Sequence, residues 1–268
     1  DPTRTVNGGP EISGFVADMG RLPLCIRELL EQKKCNGTDL TPTWDIDTST
    51  GLGFGWRGPY IQVLPERGGE LLFRDGYGNS DASDAQNSGW EWALYNSSDA
   101  SAAIAHIQSA GVKPLFIDGD EYPSGTIATV EPLIHQRNHL VSIDSLTARV
   151  TFLNDGSVAI SSINQTNMTL DIYYPDGTGG TTSLSSDPFS FVIDASSAIH
   201  GYGTRQSAQI TFSGGEFIPF GVRTVEVLCN TGDVFKGGSC DSTHNTFGSL
   251  SIIPNAQSSE LHLTWDIQ

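Results

Sequence analysis

The segment "GFVADMGRLPLCIRELL", residues 14–30, carries the strongest helical pattern in the chain and lies close to its start. With Ile12 just ahead, Phe15, Val16 and Met19 complete an i, i+3, i+4, i+7 series, one apolar stripe of a 3.6-residue helix. Pro10 suits a first helical turn, where its missing N–H is no loss. Gly20 is placed to end the helix in a left-handed residue, and Pro23 prevents its continuation. Ile26, Leu29 and Leu30 then share one face of a second short helix. The expectation is two helical pieces with a corner between them.

Composition bounds what such a chain can do. Its 268 residues are 37% hydrophobic with 30 glycines, enough for a turn-rich protein with a substantial core. Fourteen basic residues stand against 31 acidic ones, a net charge of −17. That balance repels nucleic acid and anionic membranes, which need a cationic face. Cysteines fall in two close pairs, Cys25/Cys35 and Cys229/Cys240, without zinc or redox spacing. Two local disulfides in an oxidising compartment are expected. Each would stabilise by roughly 2–3 kcal/mol in the chain-entropy model. No stretch reaches the about 18 consecutive apolar residues of a membrane span. The start at Asp1 without a methionine or leader pattern suggests a processed or truncated product.

Further along, "GLGFGWRGPYIQVLPERGGELLFRDGYGNSDASDAQNSGWEWALYN" (51–96) alternates glycine and aromatic residues. "ELLFRD" and "WEWALY" read as a hairpin around the polar tract "GNSDASDAQNSG". Residues 99–111 form a second candidate helix, with a short strand as the alternative. From about residue 126 the pattern becomes short alternating strands. "LTARVTFLND" ends in Asn154-Asp155-Gly156, a hairpin signal leading into "SVAISSI". "MTLDIYYPDGTGG", "FSFVID", "RQSAQITF", "RTVEVLC", "FGSLSII" and "ELHLTWDI" continue the series. The spacing predicts an antiparallel sandwich.

The order "GFVADMGRLP", "GWRGPYI" (55–61), "RDGYGN" (74–79) and "WEWALY" (90–95) resembles type IV pilin-like proteins, especially type II secretion pseudopilins of Gram-negative bacteria. Tyr77 stands where the family's second motif has Trp, and "SDASDAQNSG" is an insertion. The resemblance implies a soluble part whose preceding apolar helix anchors it in the inner membrane and later forms a filament core. The fold class expected on this basis is α+β. N-terminal helices pack on a small antiparallel sheet in residues 1–125, and an all-β, immunoglobulin-like sandwich follows in 126–268. Its implied partners are other pilin or pseudopilin subunits, in the periplasm or at the cell surface.

Two candidate sites follow. Trp56, Arg57 and Tyr60 form an aromatic turn that reads either as a subunit contact or as a turn closing the core. Asp75, Asn79, Asp81 and Asp84, with Asn87 beyond, place oxygen ligands in one flexible loop. They fit either a Ca²⁺ site or a solvated acidic loop. Asp118, Asp120 and Glu121 form a second acidic knot with the same two readings. No nucleophile elbow, metalloprotease helix or phosphate loop is present. His135 and His139 are four apart, but strand-like surroundings weaken them as a metal pair. Asn36, Asn96, Asn164 and Asn167 head N-x-S/T sequons, glycan sites only in a eukaryotic secreted protein. The sequence therefore reads as a non-enzymatic filament subunit without an obligatory cofactor. The alternative is a freestanding secreted sandwich that binds carbohydrate or protein.

Overall fold

The computed structural model describes residues 14–66, 68–73, 90–94, 114–118, 140–207, 209–214, 217–242, 247–252 and 260–267. The N-terminal segment holds helices α1 (Phe15–Met19) and α2 (Arg27–Leu30) and the small ladder of β1 (Asp45–Ile46) with β2 (Gly53–Phe54). Strands β3 (Trp90–Leu94) and β4 (Pro114–Asp118) pair antiparallel. The larger β body comprises β5 (Leu140–Ser142), β6 (Thr147–Asn154), β7 (Ile163–Pro175), β8 (Thr181–Ser185), β9 (Phe189–Ile193), β10 (Gly203–Gln206) and β11 (Ile210–Thr211). It continues with β12 (Phe217–Pro219), β13 (Gly221–Leu228), β14 (Val234–Lys236), β15 (Ser239–Asp241), β16 (Gly248–Ile252) and β17 (Glu260–Asp266).

Two sheets face each other. In one, β6 is central, antiparallel to β10 and β11 and parallel to β17. In the other, β7 and β13 run antiparallel at the centre, β8 lies outside β7, and β16 and the β14–β15 hairpin lie outside β13. Opposite its β13 edge, strand β7 serves two partners in turn, β9 and then β8. Its register shifts between Gln165 and Met168, with Asn167 in left-handed backbone (φ 55°), and its first half pairs with β9. A bulge bends a strand and increases its twist, which is how one strand curls between neighbours.

The period-2 pattern of β6 buries Ala148, Val150 and Phe152 against β7, β9 and β14. Phe152 stacks on Phe191 at 3.7 Å and meets Phe235 edge-on. Trp265 donates its indole N–H to the Phe235 carbonyl across the core at 2.6 Å. Cys229–Cys240 ties the end of β13 to β15, and Cys25–Cys35 bridges across α2 from one side to the other.

The expected α+β head is overturned. The described chain is mostly β, and its helices are five and four residues long. A five-residue helix extends about 7.5 Å, too short for a spine. Local chemistry sets these limits. Gly14 (φ 132°) precedes α1, Gly20 (φ 70°) ends it by bonding the Val16 carbonyl, and Glu31 leaves α2 in extended backbone. Phe15 and Met19 of α1 bury against Leu40, Leu29, Trp56 and Tyr60 of the N-terminal segment, and α1 also touches β2, the end of β7 and the start of β13. The expected β-sandwich is present in the later residues, with one departure from all-antiparallel pairing: β17 runs parallel to β6.

Two pairings also differ from expectation. "WEWAL" pairs with "PLFID" at 114–118, and residues 71–73 are not strand. Asn154-Asp155-Gly156 does not open a hairpin: β6 pairs with β10, and Asn154 turns inward. The candidate helix at 99–111 and the positions of Pro10 and Ile12 lie outside the described residues.

Gly20 is where the helix and the β body meet most closely. A Cβ there would sit 2.1 Å from the Pro175 carbonyl oxygen, against backbone that cannot swing away. Gly20→Ala adds that clash to a left-handed penalty of about 1–2 kcal/mol. Thermal denaturation should show a loss of at least about 2 kcal/mol. Gly14→Ala, with no atom within 4 Å of its Cβ, should lose only the backbone part.

Candidate functional site

Asp18 sits on α1 among apolar neighbours and is almost fully buried. Burial of a carboxylate demands partners, and the aromatic turn supplies them. The Arg57 fork donates to Asp18 Oδ1 at 2.8 Å and Oδ2 at 3.1 Å, and Tyr60 Oη donates to Oδ2 at 2.9 Å. Tyr60 Oη in turn accepts the Arg57 backbone N–H at 3.0 Å. Trp56 donates its indole N–H to the Glu28 carbonyl at 2.7 Å and meets Tyr60 edge-on. Gly58 is needed because a side chain there would run into the Trp56 and Tyr60 rings.

Burial pushes the Asp18 carboxyl above its usual range, opposed by the Arg57 and Arg223 cations and by Tyr60. Burial, with Asp18 beside it, raises Tyr60 as well. The expected pair of readings for Trp56, Arg57 and Tyr60 thus meets an internal arrangement. All three are partly buried, and their polar groups face Asp18 and Glu28.

A second buried pair lies beside the first. Arg21 donates twice to Glu28, at 2.7 and 3.1 Å, and lies over the Phe15 ring. Glu28 is completely buried and also accepts the Leu24 N–H at 2.9 Å. "GRLP" and the following "REL" are therefore two halves of one ion pair, closed further by Cys25–Cys35.

Arg223 joins this cluster to β13. It is 1% exposed, and its guanidinium bonds four backbone carbonyls: Pro219, Phe220, Val222 and Ala17 of α1. Burial pushes it down to about 9, still cationic at neutral pH, with Asp18 opposing the shift. Sequence reasoning passed over Arg223, Arg21, Glu28 and Asp18. One signal was available for Arg223: it falls on the same alternation as Val225 and Val227, a cation on the core face of a strand.

Asp75, Asn79, Asp81 and Asp84, the expected calcium ligands, lie outside the described residues, as do Asn87, Asp120, Glu121, His135 and His139. Among the described residues no group of three or more His, Cys, Asp or Glu is placed to hold a metal. Other acidic residues accept turn hydrogen bonds. Ser49 holds Asp47 down to about 2, and Ser196 and Ser197 do the same for Asp194. The surface offers an open groove of about 420 Å³ lined by Leu30, Pro59, Ile61, Val63 and Leu71, with Leu64 90% exposed at its rim. At a loop tip of the β body, Tyr202 (φ 57°) is 76% exposed, and the exposed Val158 lies on the loop it bonds.

Comparison with protein-family models, curated proteins and solved structures finds no match for this chain. The two disulfides indicate an oxidising extracellular or periplasmic environment. Among the described residues no helix is long and apolar enough to cross a membrane.

Arg223→Met removes the only described group that satisfies these four carbonyls together, and it leaves Asp18 with one cation fewer. It should lower unfolding free energy by about 3–5 kcal/mol in chemical denaturation. Arg223→Lys, a point charge that cannot reach all four, should fall between the variant and the parent. Glu28→Gln should lose about 3 kcal/mol, because Arg21 then stays buried without its countercharge.

Proposed function

We propose that this chain is a structural, non-enzymatic subunit of a type IV pilus-like or type II secretion pseudopilus filament. One observation carries the reading. The residues behind the family resemblance are those that fasten the N-terminal segment: Asp18, Arg21, Glu28, Trp56, Arg57 and Tyr60 bond to one another. Motifs spent on holding a segment in place suit a scaffold better than a reaction centre. The exposed Leu64 beside the Leu30–Leu71 groove offers apolar surface for neighbouring subunits. In this reading the subunit is anchored in the Gram-negative inner membrane by an apolar helix preceding this sequence, as the resemblance implies, and it works in the periplasm or at the surface after assembly.

A second reading has its own observation. Tyr202, held in left-handed backbone at an exposed tip near Val158, is an aromatic presented outward at the expense of local strain. A freestanding sandwich that binds carbohydrate or protein would use such a residue.

All four cysteines are paired, so Leu64→Cys introduces a single free thiol. Treated with a bismaleimide in the native host, the full-length Leu64→Cys protein should yield a crosslinked dimer in a sheared filament fraction. Uncrosslinked monomer found solely in the soluble secreted fraction would favour the freestanding module and refute the filament role.

A further inference from the structure

The outer face of the second sheet carries an unusual pair. Asp171 of β7 and Glu226 of β13 are directly opposite in register. Directly opposed residues point to the same face, with Cβ atoms about 5 Å apart. They are only 8% and 6% exposed. Tyr173 Oη donates to Glu226 Oε2 at 2.7 Å, while Asp171 Oδ1 is buried without a hydrogen-bond partner.

Among the described residues the facing groups supply no countercharge. Opposite Asp171 on β8 is Ser185, and opposite Tyr173 is Ser183. On β16, Ser249 faces Thr224, and on β14, Val234 faces Leu228. Thr169 and Tyr173 flank Asp171 on β7, and Thr224 and Leu228 flank Glu226 on β13. Among the described residues none of these is a cation. Two desolvated carboxylates this close, with neither an Arg nor a Lys between them among the described residues, cannot both ionise at low cost.

We propose that Asp171 and Glu226 hold one proton between them at neutral pH, a carboxyl–carboxylate clasp that joins β7 to β13 and loosens in base. The proton comes from solvent and resides on one carboxyl. A protonated carboxyl turns one oxygen into a donor, which accounts for the orphaned Asp171 acceptor. Burial raises both groups above their ordinary values, and for Glu226 the Asp171 charge adds to it, while hydroxyl hydrogen bonds from Ser185 and Thr169 to Asp171 and from Tyr173 to Glu226 oppose the shift without reversing it.

The sign follows by linkage. Carboxyls raised in the folded state bind more protons there than in the unfolded chain, so stability falls as pH rises through the folded values. It is regained as pH falls toward the ordinary carboxylate range near about 4. Asp18 contributes in the same direction, so the clasp is isolated by comparing variants that keep Asp18.

The test follows melting temperature from about pH 8 to about pH 5 for the parent, Asp171→Asn and Glu226→Gln. The parent should melt several degrees higher at the acid end. Both variants should show a flatter profile and match or exceed the parent at the basic end. A variant that fails to fold is bypassed by infrared spectroscopy of the parent at neutral pH. A carboxylic-acid C=O band that shifts in D₂O, disappears above the transition and persists in Asp18→Asn is expected, which separates it from the buried Asp18 carboxyl. Identical slopes in parent and variants, or absence of that band, would overturn the proposal. So would a rise in the parent's melting temperature on adding calcium chloride at the basic end, absent in Glu226→Gln, since a cation would then occupy the proton's place.

Discussion

A buried guanidinium organises this protein. Arg223 points into the end of the β body, where no carboxylate bonds it directly among the described residues, and four backbone carbonyls take the place of water. An ion that leaves water for a protein interior is stable only when its donors are matched one by one. Three of those carbonyls come from its own strand and the turn before it. The fourth, Ala17, comes from α1, so the cation cannot be satisfied until the N-terminal segment has docked. At the same junction Gly20 presses on Pro175, leaving no room for a side chain.

The rest of the N-terminal segment extends outward from that contact. Asp18 lies next to Ala17 and collects Arg57 and Tyr60, and Arg57 brings Trp56 over the Glu28 carbonyl. Glu28 in turn neutralises Arg21, whose guanidinium covers Phe15 of α1. The chain of charges returns to the helix where it began. Its helices are too short to persist alone, since isolated helices of fewer than about 12–15 residues are marginal in water. Their conformation therefore depends on this network and on burial against β7 and β13. The two disulfides then restrain the periphery, one in each part of the chain.

Much of this was legible from residues that act locally. The Gly20 stop needed only a left-handed glycine after an apolar stripe, and the alternation of "TARVTFLN" marked β6 because its neighbours on both faces are ordinary core. Each cysteine pair was near enough in sequence to suggest its own partner. What escaped depended on distant partners. Asn154 carries the composition of a turn, yet its side chain donates to the Val158, Ile199 and His200 carbonyls, and Ile199 and His200 are 45 and 46 residues away. "WEWAL" had a strand pattern but not the identity of its mate at 114–118. The helices looked like a spine because their stripe is apolar, and periodicity alone does not say whether that stripe meets its own sheet or the end of another. The candidate site escaped because its pairs need a folded chain: Asp18 meets Arg57 only after the turn at 55–60 has closed, and Arg21 meets Glu28 only after the corner between the two helices has formed.

The N-terminal segment and the β body form one cooperative unit joined through Arg223. Native-state hydrogen exchange reads this directly. The Gly55 amide, which donates to Asp18, and the Tyr60 amide, which donates to Leu29, should open with nearly the same free energy as amides of β13 and β7. Exchange of Gly55 and Tyr60 through an opening several kcal/mol easier than that of the central strands would show the segment to be an independently opening flap, and would contradict the account.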